Sequence, residues 1–206
     1  MKSKEFYSKY IETFLKQNAV INLISKNDEK YLWEKHIFDS LSIEKFFKKY
    51  FPEDKRARGQ EGKLFTLLDI GTGGGFPAVP VALTYGNIEV TALDSIKKKL
   101  NAIENIKAKL DIKNLKTLCD RAENIKGQYD IITSRAVAPL KVILNYAMPL
   151  LKKNGYFIAY KSIKTDEEIK DAQKELKKYN AKVIDIIKYD LPLEENHTRN
   201  LIIITH

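Results

Sequence analysis

Hydrophobic positions along the chain follow two different rhythms. Phe6, Tyr7, Tyr10, Ile11, Phe14 and Leu15 recur at the spacing of one helix face, which predicts an amphipathic helix over residues 4–16. Residues 18–24 read as a link. Ser25 and Asp28 then offer caps for a second helix over residues 29–50, with a possible break, ending near Pro52. From residue 64 the rhythm changes. Short apolar runs at 64–70, 88–93, 115–119, 129–133 and 156–160 alternate with helical patterns at 78–85, 96–110, 139–151 and 165–179. Such runs, separated by helices, predict parallel strands buried on both faces. Two last strands, 182–189 and 200–205, follow with no helix between them. The pattern predicts one domain: a helical extension over residues 1–52 and a doubly wound α/β core over residues 64–206. Residues 53–63 are polar, charged and glycine-containing and read as a mobile loop, where Arg56 and Arg58 could meet phosphate.

The first strand-to-helix turn is the densest chemical signal. Asp69-Ile-Gly71-Thr-Gly73-Gly-Gly75-Phe76-Pro77 places four glycines in five residues. Glycine permits positive φ and lacks a Cβ, so a ligand can lie against the backbone. Gly73-x-Gly75-x-x-Ala78 satisfies the loose dinucleotide pattern, which keeps NAD in view. No Lys-Ser/Thr pair follows, which excludes a P-loop. Two features favour S-adenosylmethionine (SAM). An acid, Asp69, stands just ahead of the first glycine, and Pro77 deletes a backbone N–H where a pyrophosphate would want donors. Asp94 ends the second strand about twenty residues on, where a carboxylate can accept from ribose hydroxyls. Ser95 reads as the cap of the helix that follows.

Residues 69–80 resemble the signature Asp-Ile-Gly-Thr-Gly-x-Gly-Phe-Pro-Gly-x-Pro of the GidB (RsmG) family, with Ala78 at the family's usual glycine. Ser134-Arg135-Ala136 resembles a second family segment. Asn22-Leu23, His36-Ile-Phe-Asp39-Ser40, Arg121-Ala-Glu123 and Arg199-Asn-Leu extend the resemblance from about residue 5 to the end. Lys161-Ser162 departs from the family's Lys-Gly. The resemblance implies a Rossmann-like class I methyltransferase fold, a seven-stranded, mostly parallel sheet whose last strand is inserted antiparallel. It implies SAM as cofactor and methylation of a guanine at N7 in 16S ribosomal RNA, alone or in the small subunit. Gly71, Gly73 and Gly75 are the expected cofactor cradle, and the resemblance adds Phe76, Ala122, Glu123 and Arg135. Asp94 joins them on geometry alone. His36, Asp39 and Ser40 read as local hydrogen-bonding groups.

Composition narrows the rest. The chain has 206 residues, 44% of them hydrophobic, enough for one real core. The single cysteine, Cys119, excludes an internal disulfide and a Cys-cluster zinc site, and reads as a small core residue. No apolar run approaches the roughly 20 residues that span a bilayer. Nor does the N-terminus carry an apolar signal core, so a cytoplasmic protein is expected; a monomer is expected as well. The net charge of +9 suits a polyanionic partner, although lysine-rich composition can also reflect genome bias. Arginine is scarce, confined to Arg56, Arg58, Arg121, Arg135 and Arg199.

Methyl transfer needs the nucleophile and the sulfonium methyl held in line. Enzymes acting on exocyclic amines often carry Asn/Asp-Pro-Pro-Tyr/Phe after the fourth strand, where this chain has Ser134-Arg135-Ala136-Val137. Transfer to a cytosine C5 needs an attacking thiolate, and Cys119 lacks the context. Guanine N7 is a lone pair without a proton and needs no base. Lys161 and Arg199, at strand ends, are the candidate substrate-side catalytic residues. A small-molecule methyltransferase and an NAD-type nucleotide-binding protein remain as alternatives.

Overall fold

The computed structural model describes residues 2–52, 65–195 and 197–206. The predicted loop over 53–63, with Arg56 and Arg58, lies outside the described residues. Within them, seven strands form one sheet in the order β3-β2-β1-β4-β5-β7-β6. These are β1 (Phe65–Ile70), β2 (Ile88–Asp94), β3 (Leu115–Cys119), β4 (Tyr129–Arg135), β5 (Leu151–Lys161), β6 (Lys182–Leu191) and β7 (His197–Thr205). All pairs are parallel except β5–β7 and β6–β7. The expected topology, with β7 inserted antiparallel, is therefore present.

Period-two alternation explains the three layers. In β1 Leu67 joins one apolar cluster and Leu68 the other; in β7 Leu201 and Ile203 face one way, Ile202 and Ile204 the other. One face is covered by α6 (Leu140–Ala147), α7 (Thr165–Asp171) and α8 (Gln173–Lys178). The other is covered by α4 (Ala78–Thr84), α5 (Lys97–Leu110) and the N-terminal extension. Order reverses between β1 and β4, where Ile70 pairs with Ser134. Open α/β sheets leave their ligand crevice at such a switch point. The glycine turn and Ser134-Arg135-Ala136 thus meet at one place.

The extension departs most from its predicted elements. The first helix is a 3-10 turn, Lys4–Tyr7, followed by α1, Ser8–Ile21, so residues expected as a link continue the helix. Asn18 causes this: its buried side chain accepts from Ile24 N at 2.8 Å and donates to Glu29 at 2.7 Å, so the polar residue is spent inside the helix. The second helix breaks into a 3-10 segment (Lys26–Tyr31), a π-helix (Leu32–Phe38), α2 (Asp39–Leu41) and α3 (Ile43–Tyr50). Its buried apolar residues do not hold one period: Leu32 and Ile37 stand five apart, a π spacing, whereas Ile43, Phe46 and Phe47 keep α spacing. Ser40 and Ser42 bond back to the carbonyls of His36 and Phe38, which bends the segment.

Smaller differences have local causes. The helix over 165–179 is interrupted at Ala172. Ser95 does not cap α5; the carboxylate of Asp94 accepts from Ile96 N at 2.9 Å instead. Asn154 and Gly155, which precede the predicted strand at 156–160, lie inside β5, opposite a register shift between Tyr129 and Ile131. A Cβ on Gly155 would come within 2.9 Å of two carbonyl oxygens, which is why a glycine marks this bulge. Cys119 is exposed, not a core residue, because it ends an edge strand. No helix among the described residues is long and apolar enough to cross a membrane.

Phe46 is fully buried and packs within 6 Å of the rings of Phe47, Tyr50, Phe51 and Tyr156, joining the extension to the sheet. Phe46→Ala is expected to lower unfolding stability by about 3–5 kcal/mol in urea titration.

Candidate functional site

A cavity of about 570 Å³ opens beside the switch point. The bend of the chain after β1 forms its floor. Gly71, Gly73 and Gly75 all have positive φ, at 68°, 57° and 91°. Their reasons for being glycine differ. A Cβ on Gly71 would lie 2.4 Å from Val137, and one on Gly75 would lie 2.7 Å from Val79, so packing alone forbids a side chain. At Gly73 the nearest atom is 3.9 Å away, and that position faces open space. Gly73 is thus the glycine whose missing side chain leaves room for something else.

The expected cofactor residues come together, with one exception. Gly71, Gly73, Phe76, Asp94, Ala122, Glu123 and Arg135 all line this cavity; Gly75 does not. Asp94 is already engaged, accepting from Gly73 N and Ile96 N at 2.9 Å each. A carboxylate offers about four lone-pair sites, so it retains capacity toward ribose hydroxyls. Ile96 and Val137 expose about 40% of their surface into the same cavity. A floor of bare backbone, an acceptor carboxylate and exposed aliphatic walls fit a nucleoside-bearing ligand such as SAM.

Beneath the turn, Asp69 is fully buried. One oxygen accepts from Thr133 at 2.9 Å and the other has no partner. Burial pushes its carboxyl up to about 6.

Arg135 holds the centre of the site. Its guanidinium donates to Asp39 at 2.9 Å, to Lys35 O at 3.0 Å and to His36 Nδ1 at 3.0 Å, and lies over the Phe76 ring. Asp39 is 4% exposed and also accepts from Tyr189 at 2.7 Å. A guanidinium has no acceptor, so Nδ1 of His36 must accept and its proton resides on Nε2. Burial, with the Arg135 charge next in weight, lowers His36 to about 4, so it is neutral at neutral pH. Sequence reasoning assigned His36 and Asp39 only local roles, yet Asp39 reaches residues 96 and 150 positions away. The signal was their spacing of three, which sets both on one side of a helical turn.

A second cavity, about 540 Å³, shares Asp28, His36, Arg135 and Ala136 with the first. Ala136 occupies the left-handed region at φ 56° between the two. Lys161 and Arg199 both line this second cavity, at the C-terminal rim of the sheet. They differ in state. Lys161 donates to Glu168 at 2.6 Å and to Ala138 O at 2.8 Å. Among the described residues the Arg199 side chain has no hydrogen bond or ion pair, so the pairing with Glu194 or Glu195 that a structural role would require is absent. Each carboxylate lining this cavity is paired: Asp28 with Lys35, Asp39 with Arg135, Glu168 with Lys161. No group of acids, histidines and cysteines among the described residues is arranged to hold a metal.

Residues 3–202 match the family model of GidB, rRNA small subunit methyltransferase G. The chain belongs to the GidB family. Relatives named ribosomal RNA small subunit methyltransferase G agree: that of Clostridium botulinum is 37% identical over 198 residues, covering 92% of this chain and 78% of its own. That of Staphylococcus saprophyticus is 34% identical over 208 residues, covering 98% and 82%. The fold is that of class I SAM-dependent methyltransferases, and solved structures share it. A precorrin-6y C5,15-methyltransferase from Geobacter metallireducens superposes with TM-score 0.57 at 14% identity, covering 91% of both chains. An RNA methyltransferase, so described, from Pyrococcus horikoshii gives 0.59 at 12% identity, covering 81% and 82%.

A prediction follows for Asp69. Its folded value near 6 lies above the ordinary 3.8, so the native state binds more protons between these limits. Stability is then lost as pH rises from about 4 to 6, on the order of 3 kcal/mol. Asp69→Asn is expected to remove that decline in the cofactor-free protein, seen as a melting-temperature gain over wild type that grows across this window and levels off above it.

Proposed function

We propose that this protein transfers the methyl group of SAM to N7 of a guanine in 16S ribosomal RNA. One observation carries the reading: the glycine-floored cavity shares the wall of Arg135 and Ala136 with a second cavity in which every carboxylate is ion-paired and one arginine is left over. A nucleophile bearing a proton would need a base there. N7 bears none. His36 does not serve either, since its Nδ1 accepts from Arg135 and its Nε2 carries the proton.

SAM bound in the first cavity supplies an electrophilic methyl on sulfur. Gly71 and Gly73, with Phe76, Asp94, Ala122, Glu123 and Arg135, would hold it. Gly75 would contribute by letting α4 pack closely, not by touching the ligand. Arg199, unpaired and half-buried, would meet a phosphate or the guanine edge, where its fork gives a bidentate contact that lysine cannot. Lys161, tied to Glu168 and Ala138, keeps a third N–H for the same surface. The net charge of +9 favours a polyanion over a small neutral substrate.

Four measurements test this. Gly73→Val fills the open space above the turn, and calorimetry is expected to show SAM affinity lost; unchanged affinity in a folded variant would remove the cofactor from this cavity. Arg199→Lys is expected to slow single-turnover methylation of small ribosomal subunits about 5- to 150-fold at saturating SAM, with SAM affinity unchanged. Mass mapping of methylated nucleosides in ribosomal RNA, with and without the gene, is expected to show loss of one 7-methylguanosine. A salt-independent substrate affinity would instead favour a small-molecule acceptor.

A further inference from the structure

A third cavity, about 520 Å³, opens off the second and shares Lys35, Leu193 and His197 with it. Its walls come from the 3-10 and π segments of the extension and from the β6–β7 connection. Next to them, Tyr189 of β6 donates to Asp39 at 2.7 Å, which ties β6 to the extension.

Its chemistry does not suit a phosphate. Glu194 and Glu195 line it and their side chains have no partner among the described residues. Glu34 pairs one oxygen with Lys4 and its other oxygen is sealed from solvent, so the free acceptors are those of Glu194 and Glu195. The cavity thus presents acceptors in want of donors, beside an aromatic ring. That ring, Tyr31, is half-buried, and the ammonium groups of Lys30 and Lys35 lie 4.8 Å from its centroid. Aromatic rings flanked by cations are how proteins hold unpaired nucleotides: the ring stacks the base and the cations face the backbone. Free acceptors at the edge then favour a base that offers amino hydrogens as donors.

We propose that this cavity holds the base of a nucleotide flanking the methylated guanine, an amino-bearing base stacked on Tyr31 and hydrogen-bonded to the free carboxylates of Glu194 and Glu195. The inference rests on the ribosomal RNA reading above. Lys30, exposed at the rim, leaves the ring for the adjoining phosphate as the base enters. The target base in the second cavity and its neighbour in the third are then splayed apart, with Lys35 between them.

The test compares wild type with Tyr31→Leu, Tyr31→Phe and the double variant Glu194→Ala with Glu195→Ala on unmethylated small ribosomal subunits. Equilibrium binding, turnover and chemical probing of Watson–Crick edges in the RNA are read together. Tyr31→Leu is expected to weaken subunit binding and raise KM about 5- to 150-fold, with SAM affinity and kcat held. Tyr31→Phe, which keeps the stacking face, is expected to behave as wild type. Wild type is expected to protect one base next to the methylated guanine, and Tyr31→Leu and the Glu194/Glu195 double variant to lose that protection. Unchanged subunit binding in Tyr31→Leu overturns the proposal. So does weakened binding with no difference in base protection, which would assign the cavity to a ribosomal protein side chain. A wild type that binds subunits without methylating them refutes the guanine-N7 reading while the binding and probing arms still decide the subsite.

Discussion

The buried pair of Arg135 and Asp39 is the constraint on which the site depends. Arg135 comes from the C-terminal end of β4, Asp39 from the extension, and Tyr189 from β6. Removing one partner from such a pair costs about 3–5 kcal/mol, because the other charge is left without water or partner. Geometry follows from that penalty. The extension cannot drift from the sheet without exposing or orphaning a charge, so both cavities keep their common wall. The same pair fixes the imidazole of His36 in one tautomer, which removes it from proton chemistry.

The sheet supplies the other half of the arrangement. Because the strand order reverses between β1 and β4, the backbone of the glycine turn and the Arg135 segment diverge around one crevice. Because β7 enters antiparallel, its first residues arrive at the same rim where the parallel strands end. Arg199 reaches the rim by running the other way. A final parallel strand would have carried it to the opposite edge.

Much of this was legible in the chain. The strand–glycine–helix unit, the seven strands and the inserted β7 were readable because buried parallel strands leave continuous apolar runs and because Asp69 to Pro80 matches a family signature. The extension was legible only as helical. Its π spacing from Leu32 to Ile37 mixes with α spacing from Ile43 onward, and no single period describes both. The continuation of α1 past Asn18, where the chain reads as a link, was not legible because sequence does not reveal that this amide is consumed by Ile24 and Glu29. The roles of the glycines were not separable either: only coordinates distinguish Gly73, open above, from Gly71 and Gly75, hemmed by Val137 and Val79. Cys119 was misplaced because a strand-end cysteine looks the same whether its strand is central or at the edge. The Arg135–Asp39 contact joins positions 96 apart, beyond any local pattern.

The reach of that polar network has a consequence for biosynthesis. Asp39 finds one of its partners in Tyr189, 150 positions downstream. A ribosome makes the extension first and the residues that fix it last. Until β4 and then β6 emerge, Phe14, Phe46 and Phe47 have no finished sheet to cover. High contact order of this kind slows folding and lengthens the time that aromatic surface is open to neighbours. The nascent chain therefore spends most of its synthesis with its stickiest segment unsheltered. That makes the order of translation, and the chaperones that attend it, part of how this protein reaches its native state.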